Sequence, residues 1–316
     1  MQINQGGVIK MGKVVVFGSF VVDLMARSPH LPIAGETVKG SMFKMGPGGK
    51  GFNQCVAAHK AGADVTMVTK LGRDTFANVA LDTMKELKMD ESHIFFSEDT
   101  ETGIALILVD ENTSQNEIII VPGACNTITE KETDGLEELI KDSEYVLMQL
   151  EVNQDANERV AAIAEKYGCK VIVNTAPYSK ISDDFLKKTY MVTPNEVEAE
   201  ELTGVHVDDL DSAKKAAEYF YSKGVKKVII TLGSRGVFVS SDGNEQIIPA
   251  FKVKAVDTTG AGDAFNGGLL CALAEGKSVE EAARFANALA ALSVQKLGTT
   301  PSMPTREEIE SFLKEH

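Results

Sequence analysis

The sequence predicts an α/β fold built round a mainly parallel sheet, with a second, smaller sheet attached. Three observations predict it. Short, continuous β-branched runs recur along the chain, most of them are separated by segments with helical periodicity, and two stretches break that rhythm. The first run, Val14-Val15-Val16-Phe17, carries no polar alternation, as expected of a strand covered on both faces, and Gly18-Ser19 ends it. Runs of the same character follow at Val65 to Thr69, Tyr145 to Met148, Val171 to Asn174, Tyr190 to Thr193 and Val228 to Leu232. Helical patterns occupy Phe52 to Ala61, Phe76 to Leu87, Asp155 to Tyr167, Ser212 to Lys223, Gly262 to Glu275 and Val279 to Lys296, with Gly168 and Gly224 as C-terminal stops. Residues 20–47, rich in Gly, Pro and Met, and residues 102–121 break the alternation. Ile104 to Val109 and Ile118 to Val121 read as an antiparallel hairpin round the polar turn Asp110 to Asn116. Both stretches are expected to form a small sheet that projects as a lid, and its uncovered face suggests a homodimer through the lids.

A chain of 316 residues, 43% hydrophobic, can bury a large core. Residues 12–316 are expected to form one domain with the lid inserted, and residues 1–11, largely polar, a flexible extension. The formal charge of −14 argues against nucleic-acid or anionic-membrane partners, which require a basic face. The four cysteines, Cys55, Cys125, Cys169 and Cys271, lack metal-ligand spacing and follow no secretory signal, so they read as reduced thiols of a cytoplasmic protein. Cys55 and Cys271 fall in apolar helical patterns and are expected to be buried.

The segment Asp257-Thr258-Thr259-Gly260-Ala261-Gly262-Asp263 leads directly into an apolar helix. Free backbone N–H groups of Gly260, Ala261 and Gly262 at a helix start form an anion hole suited to a transferring phosphoryl group, and Asp263 stands where it can accept a hydroxyl proton. Phosphoryl transfer is largely dissociative and removes that proton late, so position outweighs basicity. A second glycine turn, Gly46-Pro47-Gly48-Gly49-Lys50-Gly51-Phe52-Asn53-Gln54, also opens a helix. It is not a Walker A loop, because the glycines are too close and Gly51 follows Lys50 in place of Ser or Thr. Nor does a βαβ unit frame it as a dinucleotide fingerprint, which argues against a nicotinamide-dependent oxidoreductase.

These two motifs, in this order, resemble the ribokinase-like family of carbohydrate kinases from about residue 12 onward. The resemblance implies a doubly wound α/β domain with a β-sheet lid, and ATP-dependent transfer to a sugar hydroxyl with Asp263 as base. It implies sugar ligands at Asp23, at Gly48, Gly49, Lys50 and Gly51, at Asn53 and at Glu151. It implies nucleotide contacts from Asn195, from Thr231, Leu232, Gly233, Ser234, Arg235 and Gly236, from Gly262 and from Asn287. Glu198 would organise Mg²⁺ through water, and Asp257, Thr259, Ser293, Lys296, Gly298 and Ser302 would hold a monovalent cation such as K⁺, largely by main-chain oxygens. Asn195 to Glu198 also has a less favoured reading as a plain helix start with an acidic first turn. The sequence departs from the family at Val21, where ribose-specific members carry Asn and deoxyribose-specific members an apolar residue. The expected substrate is a pentose phosphorylated on its 5-hydroxyl, D-ribose first and 2-deoxyribose second. A catalytically silent sugar or nucleotide sensor is the alternative of another class.

Overall fold

The computed structural model describes residues 11–113 and 115–316; the expected N-terminal extension, Met11 apart, lies outside the described residues. Met11 packs against the core. Among the described residues the strands are β1 (Val14–Phe17), β2 (Val21–Ser28), β3 (Met42–Gly48), β4 (Val65–Gly72), β5 (Ile94–Ser97), β6 (Thr102–Asp110), β7 (Asn116–Gly123), β8 (Tyr145–Met148), β9 (Lys170–Val173), β10 (Thr189–Val192), β11 (Lys227–Thr231), β12 (Val237–Ser241) and β13 (Asn244–Ile248). They form a nine-stranded sheet in the order β13-β12-β11-β10-β9-β8-β1-β4-β5 and a four-stranded sheet in the order β3-β2-β6-β7. In the large sheet every pair from β11 to β5 is parallel, and β12 and β13 add an antiparallel edge. The expected strand runs lie in its centre, where β1, β8 and β11 are buried almost throughout. The sequence reading passed over β5, β12 and β13, which lie at the two ends of the sheet.

Strand order reverses between β1 and β8, since β4 and β5 lie on one side of β1 and β8 to β11 on the other. This switch point opens a crevice outside the carboxyl ends of the strands, where ligands of open α/β sheets bind. The helices Lys50–Lys60 and Ala261–Ala274 pack against each other across it. Gly267 permits their close approach, because a Cβ there would lie 2.5 Å from the Gln54 carbonyl oxygen and 2.5 Å from the Ala57 Cβ. The last long expected helix ends at Ser293 rather than Lys296, and the chain then turns towards Gly298, whose φ of +88° suits glycine.

In the small sheet, β6 and β7 form the expected antiparallel hairpin, with Leu106 opposite Ile119 and Ile104 opposite Val121. Alternation divides its side chains between two faces. Val21, Asp23, Met25 and Arg27 of β2 share one face with Lys44 of β3, by the pairing of Met25 with Lys44. Leu24, Phe43, Met45, Leu106, Ile119 and Val121 share the other. On that second face Phe43, Met45, Leu106, Ile119 and Val121 are exposed. All four cysteines are free and buried, Cys125 and Cys169 as well as the two expected.

Candidate active site

A cavity of about 200 Å³ opens at the switch point, lined by Lys50, Asn174, Ala176, Thr193, Asn195, Glu198, Thr231, Thr258, Asn266 and the turn Gly260 to Asp263. It sits where the carboxyl ends of β9, β10 and β11 meet the start of the helix Ala261–Ala274. Gly260 caps that helix with φ +77°, a conformation costly for residues with a Cβ. Asn266, one turn on, donates to the Gly262 carbonyl at 2.8 Å and accepts from Thr193 Oγ1 at 2.6 Å, which ties the helix start to the end of β10.

Asp263 is 7% exposed, and each of its carboxylate oxygens takes an amide hydrogen bond. Asn53 Nδ2 donates to Oδ2 at 3.1 Å and Gln54 Nε2 to Oδ1 at 3.0 Å. Burial pushes the Asp263 carboxyl above its ordinary range; the Lys50 ammonium and the two amides oppose this, and Glu151 adds to it. Burial works against the Lys50 charge, yet Asp263, Glu151 and Glu198 together hold its pKa above the ordinary value.

The glycine turn brings the lid onto this centre. Gly48 leaves room for Asp23, because a Cβ would lie 2.1 Å from Asp23 Oδ1, and Gly49 at φ +88° lets the turn run against Phe20 and Val21. Gly51 approaches Gly18 and Ser19 as closely. Glu151 Oε2 accepts from the Lys50 backbone N–H at 2.9 Å and from the Ser19 hydroxyl, so Glu151 anchors the turn while facing the same centre. Burial, then Glu151 and Asp263, push the Asp23 carboxyl up to about 6. Val21 is buried on the Asp23 face of β2, with its Cγ1 2.9 Å from where a Gly103 Cβ would stand. The sugar-side residues expected from the sequence thus converge.

On the opposite wall, Asn195 and Glu198 start a helix, as the plain reading of that segment expects, and also face the cavity. The two residues form a reciprocal capping box at the start of the helix Glu196–Thr203, and both line the cavity. Burial raises the Glu198 pKa, against the Asn195 N–H and the Lys50 charge, which lower it. Thr231 also lines the cavity, bridged to Asn195. Leu232 to Gly236 and Asn287 do not. Leu232 is buried, and Arg235 is held by Glu196 and the Asp208 carbonyl. The Asn287 amide donates to the carbonyls of Ile248 and Pro249, fastening its helix to the end of β13.

The expected cation positions are neighbours in space at the segment after Ser293. Asp257 accepts from Thr259 N and Gly298 N, both at 2.9 Å, and the Val294 carbonyl accepts from Val256 N and Asp257 N. The Ser293 and Ser302 hydroxyls bond to local carbonyls, and Lys296 pairs with Glu308. Among the described residues no cluster of three or more His, Cys, Asp or Glu could hold a metal ion by side chains alone.

Sequence reasoning did not single out Gln54, Asn174, Thr193, Asn266, Thr258 or Gln149. A signal existed for two of them, since Asn174 and Thr193 close predicted strands at the carboxyl end, where ligands bind. The contacts of Gln54 and Gln149 have no local signature.

The model of the pfkB family of carbohydrate kinases matches residues 11–306. A ribokinase of Haemophilus influenzae is 43% identical over 95% of this chain and 97% of its own length. A deoxyribokinase of Salmonella typhi is 36% identical over 95% and 98% respectively. The structure of Arabidopsis thaliana ribokinase complexed with ribose and ATP superposes with a TM-score of 0.89, at 30% identity over 96% of this chain and 99% of that one. A buried aspartate at a glycine-capped helix start, faced by a lid carboxylate at the switch point of an α/β sheet, is thus found in a chain matched along nearly its whole length, and the chain belongs to the pfkB family of carbohydrate kinases.

Proposed function

We propose that this kinase transfers the γ-phosphoryl group of ATP to the 5-hydroxyl of D-ribose. One observation carries the reading: the Asp263 carboxylate is buried between Asp23 and Glu151 on one side and its own helix start, Gly260 to Gly262, on the other, where the Ala261 N–H donates to the Thr258 carbonyl at 3.2 Å. Asp23, Glu151, Asn53 and the turn Gly48 to Gly51 offer the paired donors and acceptors that sugar hydroxyls need. Asp263 accepts the hydroxyl proton, and the backbone of Gly260 to Gly262 receives the charge developing on the phosphoryl oxygens. Lys50 adds a positive charge on the same cavity wall.

Asn195 and Thr231 hold the phosphate end of ATP, and Leu232 to Gly236 with Asn287 the more distant part of the nucleotide. Glu198, a buried carboxylate on the cavity wall beside the nucleotide phosphates, would organise Mg²⁺ through water. Bound there, Mg²⁺ would neutralise charge on the transferring group. Carbonyl oxygens round Asp257, Thr259, Ser293, Lys296, Gly298 and Ser302 suit K⁺, since the Asp257 carboxylate already serves two N–H groups. We further read residues 12–316 as one kinase domain with the lid segments 20–47 and 102–121 inserted, acting in the cytoplasm as a homodimer through the exposed lid face. The four free, buried thiols support the compartment.

Val21 supports a second substrate. An apolar side chain on the Asp23 face offers a ribose 2-hydroxyl no partner, which favours 2-deoxyribose by up to about 1–3 kcal/mol where no water substitutes. ATP-dependent phosphorylation of both pentoses, measured on the wild type, Val21→Asn and Asp263→Asn, tests both readings. Ribose preference by the wild type carries the first; deoxyribose preference reversed by Val21→Asn carries the second. Asp263→Asn is expected to lower kcat by roughly 10²–10⁴-fold on either sugar, and undiminished turnover would remove Asp263 as the base.

A further inference from the structure

We infer that Gln54 is the residue that positions the catalytic base, as the centre of a buried amide relay running from Gln149 through Gln54 to Asp263. The inference rests on the reading of Asp263 as base and adds the group that aims it.

An ionised carboxylate only accepts hydrogen bonds, so the side chain facing Asp263 Oδ1 must present N–H. Gln54 Nε2 does so at 3.0 Å and sends its second N–H to Asn174 Oδ1, also at 3.0 Å. The Gln54 Oε1 atom is thereby turned away from Asp263 and needs a donor of its own. Gln149 Nε2 supplies it at 2.7 Å. Asn174 in turn donates to the Thr193 carbonyl at 3.0 Å, which fixes its orientation by the same logic. Gln54 and Gln149 are fully buried and Asn174 is 7% exposed, so solvent does not compete for these bonds. Reversing the Gln149 amide would set its oxygen against Gln54 Oε1, and in the observed orientation Gln149 Oε1 is a buried atom without a partner among the described residues. The relay therefore has one direction, dictated by the acceptor at its end.

Two glycines make room for it. A Cβ on Gly18 would lie 1.9 Å from Gln149 Oε1, and a Cβ on Gly267 would meet the backbone of Gln54. Asn53, the other amide on Asp263, is steadied by Thr300 Oγ1, which donates to its Oδ1 at 3.0 Å. The resemblance that brought Asn53 to attention as a sugar ligand says nothing of its neighbour. Gln54 has no free N–H to offer a substrate; both already serve Asp263 and Asn174.

The charged groups that face Asp263 are Lys50 from the glycine turn, Asp23 from the lid, Glu151 after β8 and Glu198 on the nucleotide wall. Against that background a neutral donor stabilises the ionised base without altering net charge. Removing it raises the pH at which the base becomes available and lets the carboxylate turn.

The test is Gln54→Met in the full chain, with Gln149→Met as a second break in the relay should the first fold poorly, and Asp263→Asn as control. Gln54→Met is expected to lower kcat by roughly 10- to 100-fold, the loss of one hydrogen bond to a charged group, while the sugar KM changes less than about threefold. The acidic limb of the kcat–pH profile is expected to move to higher pH, and Gln149→Met to give a smaller loss with the same direction of shift. An unmoved limb in both variants, or a loss that falls on KM rather than kcat, would overturn the relay and leave Gln54 as packing. Full activity in Asp263→Asn would instead overturn the assignment of the base itself.

Discussion

At the scale of single residues, the site places carboxylates against one another in partial burial and offsets them with one lysine. Asp23 shows what this costs. Its carboxyl, raised to about 6 by burial and by Glu151 and Asp263, binds a proton in the folded chain at pH values where the unfolded chain has lost it. Stability therefore falls as pH rises from about 4 through about 6 and is level above that, with roughly 3 kcal/mol at stake. Asp23→Asn is expected to unfold at higher urea concentration than the wild type at pH 8 and at a similar concentration at pH 4. On the role proposed for Asp23 the ionised form binds the sugar, so the pentose KM should fall as pH rises through about 6. The same residue then stabilises the complex and destabilises the empty protein, and equal urea midpoints for the two proteins at pH 8 would contradict this.

At the scale of elements, the proposed chemistry rests on the approach of two helices whose starts hold Asn53 and Gln54 on one side and Asp263 on the other. The approach is set by Gly267, facing Gln54 and Ala57. Gly267→Ala is expected to destabilise by about 1–3 kcal/mol through overpacking and to lower kcat more than KM, since pushing the helices apart lengthens the hydrogen bonds on Asp263. Thermal unfolding and steady-state kinetics on the same preparation check both. The Asn195 to Glu198 box works similarly on the other wall. A motif that caps a helix also holds a carboxylate at the cavity wall.

At the scale of the whole molecule, the small sheet carries Val21 and Asp23 on one face, with Ile118 and Ile120 of that face exposed, and a further exposed apolar set on the other. Phe43, Met45, Leu106, Ile119 and Val121 together present an apolar surface of the kind that a soluble chain seldom leaves bare. Sedimentation equilibrium is expected to give twice the chain mass for the wild type and the single mass for Phe43→Glu combined with Ile119→Lys. A wild-type monomer at micromolar concentration would end the dimer proposal. Among the described residues no helix is long and apolar enough to cross a membrane.

The alternation of buried runs and helical periods, the two glycine turns and the aspartate at a helix start were legible in the sequence because each is a local pattern of 4 to 15 residues. The edge strands β5, β12 and β13 were not. They are short, and whether such a run joins a sheet depends on the neighbour that it pairs with. The sugar-side set came from resemblance, and its convergence in space follows from the register of β2 on β3 and the packing of the glycine turn against Gly18 and Ser19. Gln54 and Gln149 became visible only in the fold. Gln54 and Asp263 stand 209 residues apart, and nothing near either in sequence marks the other. The sequence by itself determined which elements form and which acid stands at the helix start, because those follow from backbone preference and hydrophobic period. The tertiary structure alone decided which amides aim that acid, because hydrogen bonds between distant buried side chains are settled by how the helices pack.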